Sequence, residues 1–200
     1  GVVGDCFFMQ GINGGTQNHH IYLSKCGFYD PLYGSGDAEH SGYGMRIRYT
    51  DYVLVENCYV WGDLYYGIMI EQCNYAIFRQ CVGRYDQHRG AFGGVFGVYS
   101  SDHVEVQNCI VLDCDQSTFY TYSTFFHAFA YPTTNSDSTY VHTVGCIALN
   151  LQGAEISYGL FSQNGGGTNN SFEDCVFWDS DGGFYDRVTS TTYNHCVFGK

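Results

Sequence analysis

The stretches YVLVENCYVW, from Tyr52, and HVEVQNCIVL, from His103, share one grammar: apolar residues alternate, an Asn and a Cys intervene, and the alternation resumes out of step. Related segments end at Cys6, Cys26, Cys58, Cys81, Cys109, Cys146, Cys175 and Cys196, at intervals of 20, 32, 23, 28, 37, 29 and 21 residues. A constant phrase at unequal spacing describes a coil with fixed strands and variable loops, whereas helical repeats keep a steadier period.

Five residues before the cysteine stand Ile21, Val53, Ala76, Val104 and Val141; three before it stand Leu23, Val55, Phe78, Val106, Phe172 and Tyr193. This is strand alternation with one face turned inward. The phase then slips, and Phe8, Phe28, Val60, Val111, Phe177 and Phe198 follow two residues after the cysteine. A corner separates the two strands. Its last residue is Asp5, Asn57, Asn108 or Asp174 in four copies, and Asn and Asp best tolerate a left-handed turn among non-glycine residues. A third strand begins at glycine in GMRIR, GIMIE, GVFGVY and GLFS, from Gly44, Gly67, Gly94 and Gly159. Three short strands per turn, stacked turn on turn, predict an all-β parallel solenoid of about seven to eight coils. Residues 1–200 are expected to form a single such domain, either whole or a segment of a longer solenoid.

Stacked coils bring the eight cysteines into one ladder at about 4.8 Å spacing, where each acts as a small apolar residue. Free thiols are the expected state, and disulfides between adjacent coils are the rival. Cys73 and Cys114 fall outside this ladder, and Cys114 is placed in an exposed loop between acidic residues. No two cysteine pairs have the spacing of a zinc site.

These coils, with their repeated [VI]-x-[VF]-x-N-C-x-[VF] phrase, resemble the right-handed parallel β-helix proteins of the pectate-lyase-like superfamily, over essentially the whole chain. The resemblance implies that ligands lie on the outer face of the glycine-led strand and its loops. There Arg46 and Arg48 point outward if Met45 and Ile47 point in. The densest polar group is GRYDQHRG, with Arg84, Asp86, His88 and Arg89, which combines a base, an acid and anion binders. A surface turn whose charges pair with one another is the plainer reading and the preferred one. The paired aspartates and Gly-His-Gly of polygalacturonase-like enzymes are missing. A pectate-lyase-like calcium cluster could be imitated only by Asp113, Asp115 and Glu71 facing Arg46 or Arg84.

Calcium is the one cofactor the sequence suggests, through DSDGG with Asp179 and Asp181, although a plain turn explains that segment as well. Asn169 and Ser171 form one glycosylation sequon. With 8 Lys and Arg against 20 Asp and Glu, a net charge of -12 repels nucleic acid. No apolar run approaches the roughly 18 residues of a membrane helix. Tyr29, Tyr33, Tyr43, Tyr65, Tyr66, Tyr85, Tyr99, Tyr120, Tyr122 and Tyr158 are expected at loops and strand ends, where such rings suit sugar contacts or an interface.

Uncapped coil ends, with Val2, Phe7, Val197 and Phe198, suggest that copies stack head to tail. The leading expectation is therefore an extracellular or cell-surface structural solenoid whose partner is itself. A lyase or hydrolase acting on acidic glycans and a non-catalytic glycan-binding adhesion module are the alternatives, with polysaccharide as the partner.

Overall fold

The computed structural model describes residues 7–11, 18–30, 43–63, 66–87, 92–115, 125–132, 138–152, 156–163, 168–180, 184–186 and 191–199. Their strands form three parallel sheets of seven. The glycine-led sheet holds Phe7–Gln10, Tyr43–Arg48, Tyr66–Glu71, Phe92–Tyr99, Phe125–Pro132, Ile156–Gln163 and Phe184–Asp186. The pre-cysteine sheet holds Asn18–Ser24, Thr50–Glu56, Asn74–Arg79, Asp102–Gln107, Thr139–Val144, Ser171–Glu173 and Thr192–Asn194. The post-cysteine sheet holds Gly27–Asp30, Tyr59–Asp63, Val82–Gln87, Ile110–Asp115, Ile147–Gln152, Val176–Ser180 and Val197–Phe198. The chain visits the three in turn, which makes a right-handed parallel β-helix.

Register follows the repeat. Val53, Ala76, Val104 and Val141 lie side by side and are buried, as are Val55, Phe78 and Val106. Aromatic rings fill the wider part of the interior: Phe96 stacks on Phe129 at 5.4 Å, and Phe129 meets Phe177 edge-on at 5.8 Å. Asn170 takes an inward slot where other coils place an aliphatic residue. It is satisfied there, accepting from the Val141 amide at 3.0 Å and donating to the Ser138 carbonyl at 3.3 Å.

The cysteine corner explains why the chain repeats this residue. The residue before each ladder cysteine, from Lys25 through Asn57, Gln80, Asn108, Gly145 and Asp174 to His195, has φ between 50° and 63°. Lys25 and Gln80 have no local preference for this left-handed conformation; the stack imposes it. The ladder of amide bonds continues through the bend, as in Asn57 N–H to Arg79 carbonyl at 3.1 Å and Asn108 N–H to Val144 carbonyl at 2.9 Å. The cysteine thiol then donates back to the carbonyl two residues earlier, at 3.2–3.5 Å from Cys26 to Cys196. A small side chain with a weak donor is what the bend accommodates.

The bend between the glycine-led and pre-cysteine sheets uses the same device. Tyr49, Gln72 and Ser100 are left-handed there, and Thr50, Cys73 and Ser101 follow them. Thr50 donates to the Arg48 carbonyl at 2.9 Å, Cys73 to Glu71 at 3.4 Å and Ser101 to Tyr99 at 2.8 Å. Cys73 is thus the thiol member of a hydroxyl row.

Three expectations change. The strand after Cys6 joins the glycine-led sheet, Phe7 opposite Met45, so Phe8 faces out, 49% exposed, and Phe7 and Met9 turn inward. The thiol ladder among the described residues therefore runs from Cys26 to Cys196; Cys6 itself lies outside them. Cys114 lies in a strand beside Leu151, not in a loop, because the strand from Ile110 continues past the left-handed Asp113. Of the end residues, Phe198 stacks on Phe177 at 5.3 Å, but Val197 faces outward, as strand alternation requires. Val2 is outside the described residues.

Candidate functional site

The outer side of the pre-cysteine sheet carries an organised row of aromatic groups. Six residues before the ladder cysteines from Cys26 to Cys175 stand His20, Tyr52, Tyr75, His103 and Tyr140, then Asn169. All six have φ between 52° and 61°, a left-handed kink shared by these strands that turns the side chain along the outer surface. The rings follow one another in close contact: His20 is stacked on Tyr52 at 5.0 Å, Tyr52 on Tyr75 at 5.2 Å and His103 on Tyr140 at 4.7 Å, while Tyr75 meets His103 at 5.0 Å, tilted by 30°. Tyr52, Tyr75 and Tyr140 remain about half exposed. Because their faces are used on one another, they show solvent their edges and polar tips.

Beside this wall, two residues further along each strand, run Leu54, Ile77, Glu105 and His142 in register. Wall and floor enclose an open groove of about 590 Å3 along the solenoid axis. Its start is apolar, at Leu54 and Ile77; its far half is polar. His103 Nδ1 lies 2.9 Å from Asp102, His142 Nε2 lies 3.5 Å from Glu173, and Gln107 donates to Glu105. The groove ends near Asn169, which is exposed. Such a mixed cleft fits an elongated ligand with apolar faces and hydroxyl groups.

The groove is bordered by one carboxylate with three donors around it. Glu56 accepts from Tyr22, from Ser24 at 3.4 Å and from Arg79 at 2.7 Å, and the Tyr22 and Arg79 hydrogen bonds hold its carboxyl below the usual range.

Sequence reasoning missed this row. The signal was available as a recurrent His or Tyr six residues before the cysteine, one place upstream of the inward Val position. The tyrosines singled out instead scatter. Tyr29, Tyr43, Tyr66, Tyr85, Tyr99 and Tyr158 lie in strands, and Tyr33, Tyr65, Tyr120 and Tyr122 lie outside the described residues.

The described members of the predicted catalytic group fall on two sheets. Arg84 sits on the outside of the post-cysteine sheet between Trp61 and Leu112, and Asp86 follows on the same strand; His88 and Arg89 lie outside the described residues. Arg46 is on a different face. There Arg46 and Arg48 both bind Glu71, at 2.8 and 2.7 Å, and lie over the Tyr43 and Tyr49 rings at 4.5 and 5.2 Å. Two cations sharing one carboxylate brace the glycine-led sheet.

The pieces of the imitated calcium cluster are likewise split. Glu71 faces the arginines, while Asp113 accepts from Asn150 at 2.8 Å on the post-cysteine sheet, which also holds Asp115. Asp179 occupies the turn position of the next coil, left-handed like Asp113 and Asn150; Asp181 lies outside the described residues. Among the described residues no group of three His, Cys, Asp or Glu is placed to hold a metal ion.

The thiols face the interior and are free from Cys26 to Cys196. Burial pushes Cys73 and Cys146 up to about 12, and the hydrogen bond with Cys109 pushes Cys81 up to about 12. These are packing groups rather than nucleophiles.

Three parallel sheets wound by one chain around a closed interior define a right-handed β-helix protein whose accessible chemistry lies on its outer faces. The family model described as right-handed beta helix region matches residues 11–198, and the chain belongs to that family. No curated protein and no solved structure matches it.

Proposed function

We propose that the protein is a non-catalytic glycan-binding module that holds a polysaccharide along the groove of its pre-cysteine sheet. The observation that carries this reading is the uninterrupted aromatic row from His20 to Tyr140 beside the Leu54–Ile77 floor. Sugars present apolar C–H faces to such a floor and hydroxyls to the phenol and imidazole tips. The groove carries Glu105, with Asp102 and the Glu56–Arg79 pair at its edges, and neither Lys nor Arg lines it. On a chain of net charge -12 this favours an uncharged glycan over an acidic one. On this reading the protein meets its polysaccharide outside the cell or at its surface.

The test is affinity electrophoresis and calorimetry against neutral and acidic polysaccharides, with Tyr75→Ala and Ile77→Asp as groove variants. A neutral glycan should bind, and each variant should weaken it by about two- to tenfold, since one such contact contributes about 0.5–1.5 kcal/mol. Retarded migration only on acidic polymers, or release of new reducing ends, would overturn the reading.

A second reading has its own observation. The described stack ends in half-exposed interior side chains, Phe7, Met9 and Leu23 at one end and Tyr193, Cys196 and Phe198 at the other. A further coil, from this chain or another copy, can stack there. This supports end-to-end assembly into a structural filament.

A further inference from the structure

The floor of the groove advances by one residue per coil. Leu54, Ile77, Glu105 and His142 are paired in register, all half-buried, between two flanking rows. On one side stand the aromatic rings; on the other, two residues further along each strand, come Glu56, Arg79, Gln107 and Val144. Each coil therefore offers a ligand the same three positions: ring, floor and rim. The rim starts polar but without net charge, since Arg79 donates to Glu56 at 2.7 Å. The wall is nearly straight, with ring centres 4.7–5.2 Å apart and successive planes turned by 12°, 8°, 30° and 15°.

On the glycan reading above, we propose that the groove binds one extended chain of equatorially linked pyranoses, of the β-1,4-linked kind, with one sugar unit on each of four successive coils. A ligand that meets four equivalent coils in the same way has to advance by one coil per unit, about 4.8 Å. Equatorial 1,4-links hold a pyranose chain straight, and each unit advances it by roughly the length of its own ring, which is close to that spacing. An axial link curls the chain, which then leaves a straight row. An extended peptide advances about 3.3 Å per residue and falls out of step with the coils.

The floor divides the work between its halves. Leu54 and Ile77 pack against the C–H faces of two adjacent units, and Glu105 and His142 take hydroxyls from the next two. Gln107 donates to Glu105, and His142 Nε2 lies 3.5 Å from Glu173, so both polar floor groups are oriented before a sugar arrives. At one end of the row Tyr22, 61% exposed, reaches across to Glu56 of the next coil; at the other the floor continues as the short Ser171. These ends set the length at four units.

The other outer faces lack this combination. That of the post-cysteine sheet is apolar at Val82, Ile110, Leu112 and Ile147, and its Asp113 and Asn150 bond to each other. That of the glycine-led sheet commits Arg46 and Arg48 to Glu71.

The experiment is isothermal titration calorimetry of the whole chain with β-1,4-linked oligosaccharides of glucose, xylose, mannose and N-acetylglucosamine, in lengths of one to six units. The control is an α-1,4-linked glucose series of the same lengths, identical in composition to its β-linked counterpart. At least one β-linked series should bind, with affinity rising about two- to tenfold per unit up to four units and level beyond. The α-linked series should bind at least about tenfold more weakly at four units. In His142→Ala the gain from the fourth unit should vanish while the gains from the second and third remain, a pattern that general loss of folding does not produce. An α-linked series binding as tightly as the β-linked ones, affinity that stops rising at two units or still rises at six, or a fourth-unit gain that survives His142→Ala would overturn the proposal. Those results leave glycan binding intact. They differ from failure of the underlying reading, in which no neutral polysaccharide and no oligosaccharide binds, and which overturns both.

Discussion

Gly83 is the position where the repeat and the structure give opposite advice. It occupies the inward slot two residues after a ladder cysteine, where neighbouring coils place Val60 and Val111, and the pattern therefore recommends Gly83→Val. In the structure that space is filled by Val95. The strand Phe92–Tyr99 pairs on both sides through Gly94 and Phe96 but skips Val95, which is fully buried. A Cβ added at Gly83 would stand 1.9 Å from Val95 Cγ1 and 3.4 Å from Val60 Cγ1. Against this, removing a strand glycine gains only about 0.5–1 kcal/mol. Overpacking costs about 1–3 kcal/mol, so the repeat-like substitution should destabilise. For a chain of this size each kcal/mol lowers the thermal midpoint by about 2–4 °C. The assay is a double-mutant cycle by urea unfolding with Val95→Ala. That variant alone leaves a cavity, but in Gly83→Val it makes room, so the pair should be more stable than the sum of singles by at least about 1 kcal/mol. A raised midpoint for Gly83→Val, or additivity within about 0.5 kcal/mol, would refute the reasoning.

Two further outcomes test the corner and the rows. Tyr75 combines a left-handed φ of 57° with stacks on Tyr52 and His103, so Tyr75→Ala and Tyr75→Gly lose the same stacks, but only the glycine relieves the backbone. Glycine should therefore be the more stable by about 1 kcal/mol in chemical denaturation, the reverse of the usual strand order; alanine equal or better would refute the strain. For the thiols, the folded values of Cys73, Cys81 and Cys146 lie up to about 12 against an ordinary 9.0, so the fold favours the neutral form. Their contribution is complete below about pH 9 and is lost as pH rises toward 12, at up to about 1.4 kcal/mol per pH unit for each thiol. Urea midpoints from pH 8 to 11.5 should fall, and fall less steeply in Cys81→Ala; equal slopes would mean that thiol does not titrate on unfolding.

The architecture was legible because it depends on positions that repeat. Val53, Val55, Asn57 and Cys58 recur in fixed order, and the phase slip at the cysteine can mean only a corner. Cys73 was not legible as a structural residue, since its row companions are Thr50, Ser101 and Ser138 and no cysteine pattern contains them. Cys6 was misleading, because the apolar residues after it imitate the post-cysteine phrase while the strand pairs with Tyr43–Arg48. The catalytic candidates divide for another reason: Arg46 belongs to a glycine-led strand and Arg84 to a post-cysteine strand, so the repeat sets them on different sheets. The groove and the apolar outer face were missed because alternation was read only for its inward half.

In a parallel solenoid, register converts each position of the repeat into a physical row, so a weak local preference acts along the length of the stack. The cysteine illustrates this. One thiol bonding back to a carbonyl contributes little, yet seven in register let residues as unsuited as Lys25 and Gln80 hold a left-handed bend. The same multiplication acts outside. A single Tyr at a left-handed kink is strained, but a Tyr flanked by His and Tyr at about 5 Å is supported on both faces and becomes part of a wall. A single exposed Ile on a strand is ordinary; Ile110 between Val82 and Ile147, with Leu112 beside it, is a surface. Interior, groove and apolar face thus arise from one repeat read at different offsets from its cysteine. Their independence follows from the geometry, since offsets of six before and three after lie on different sheets.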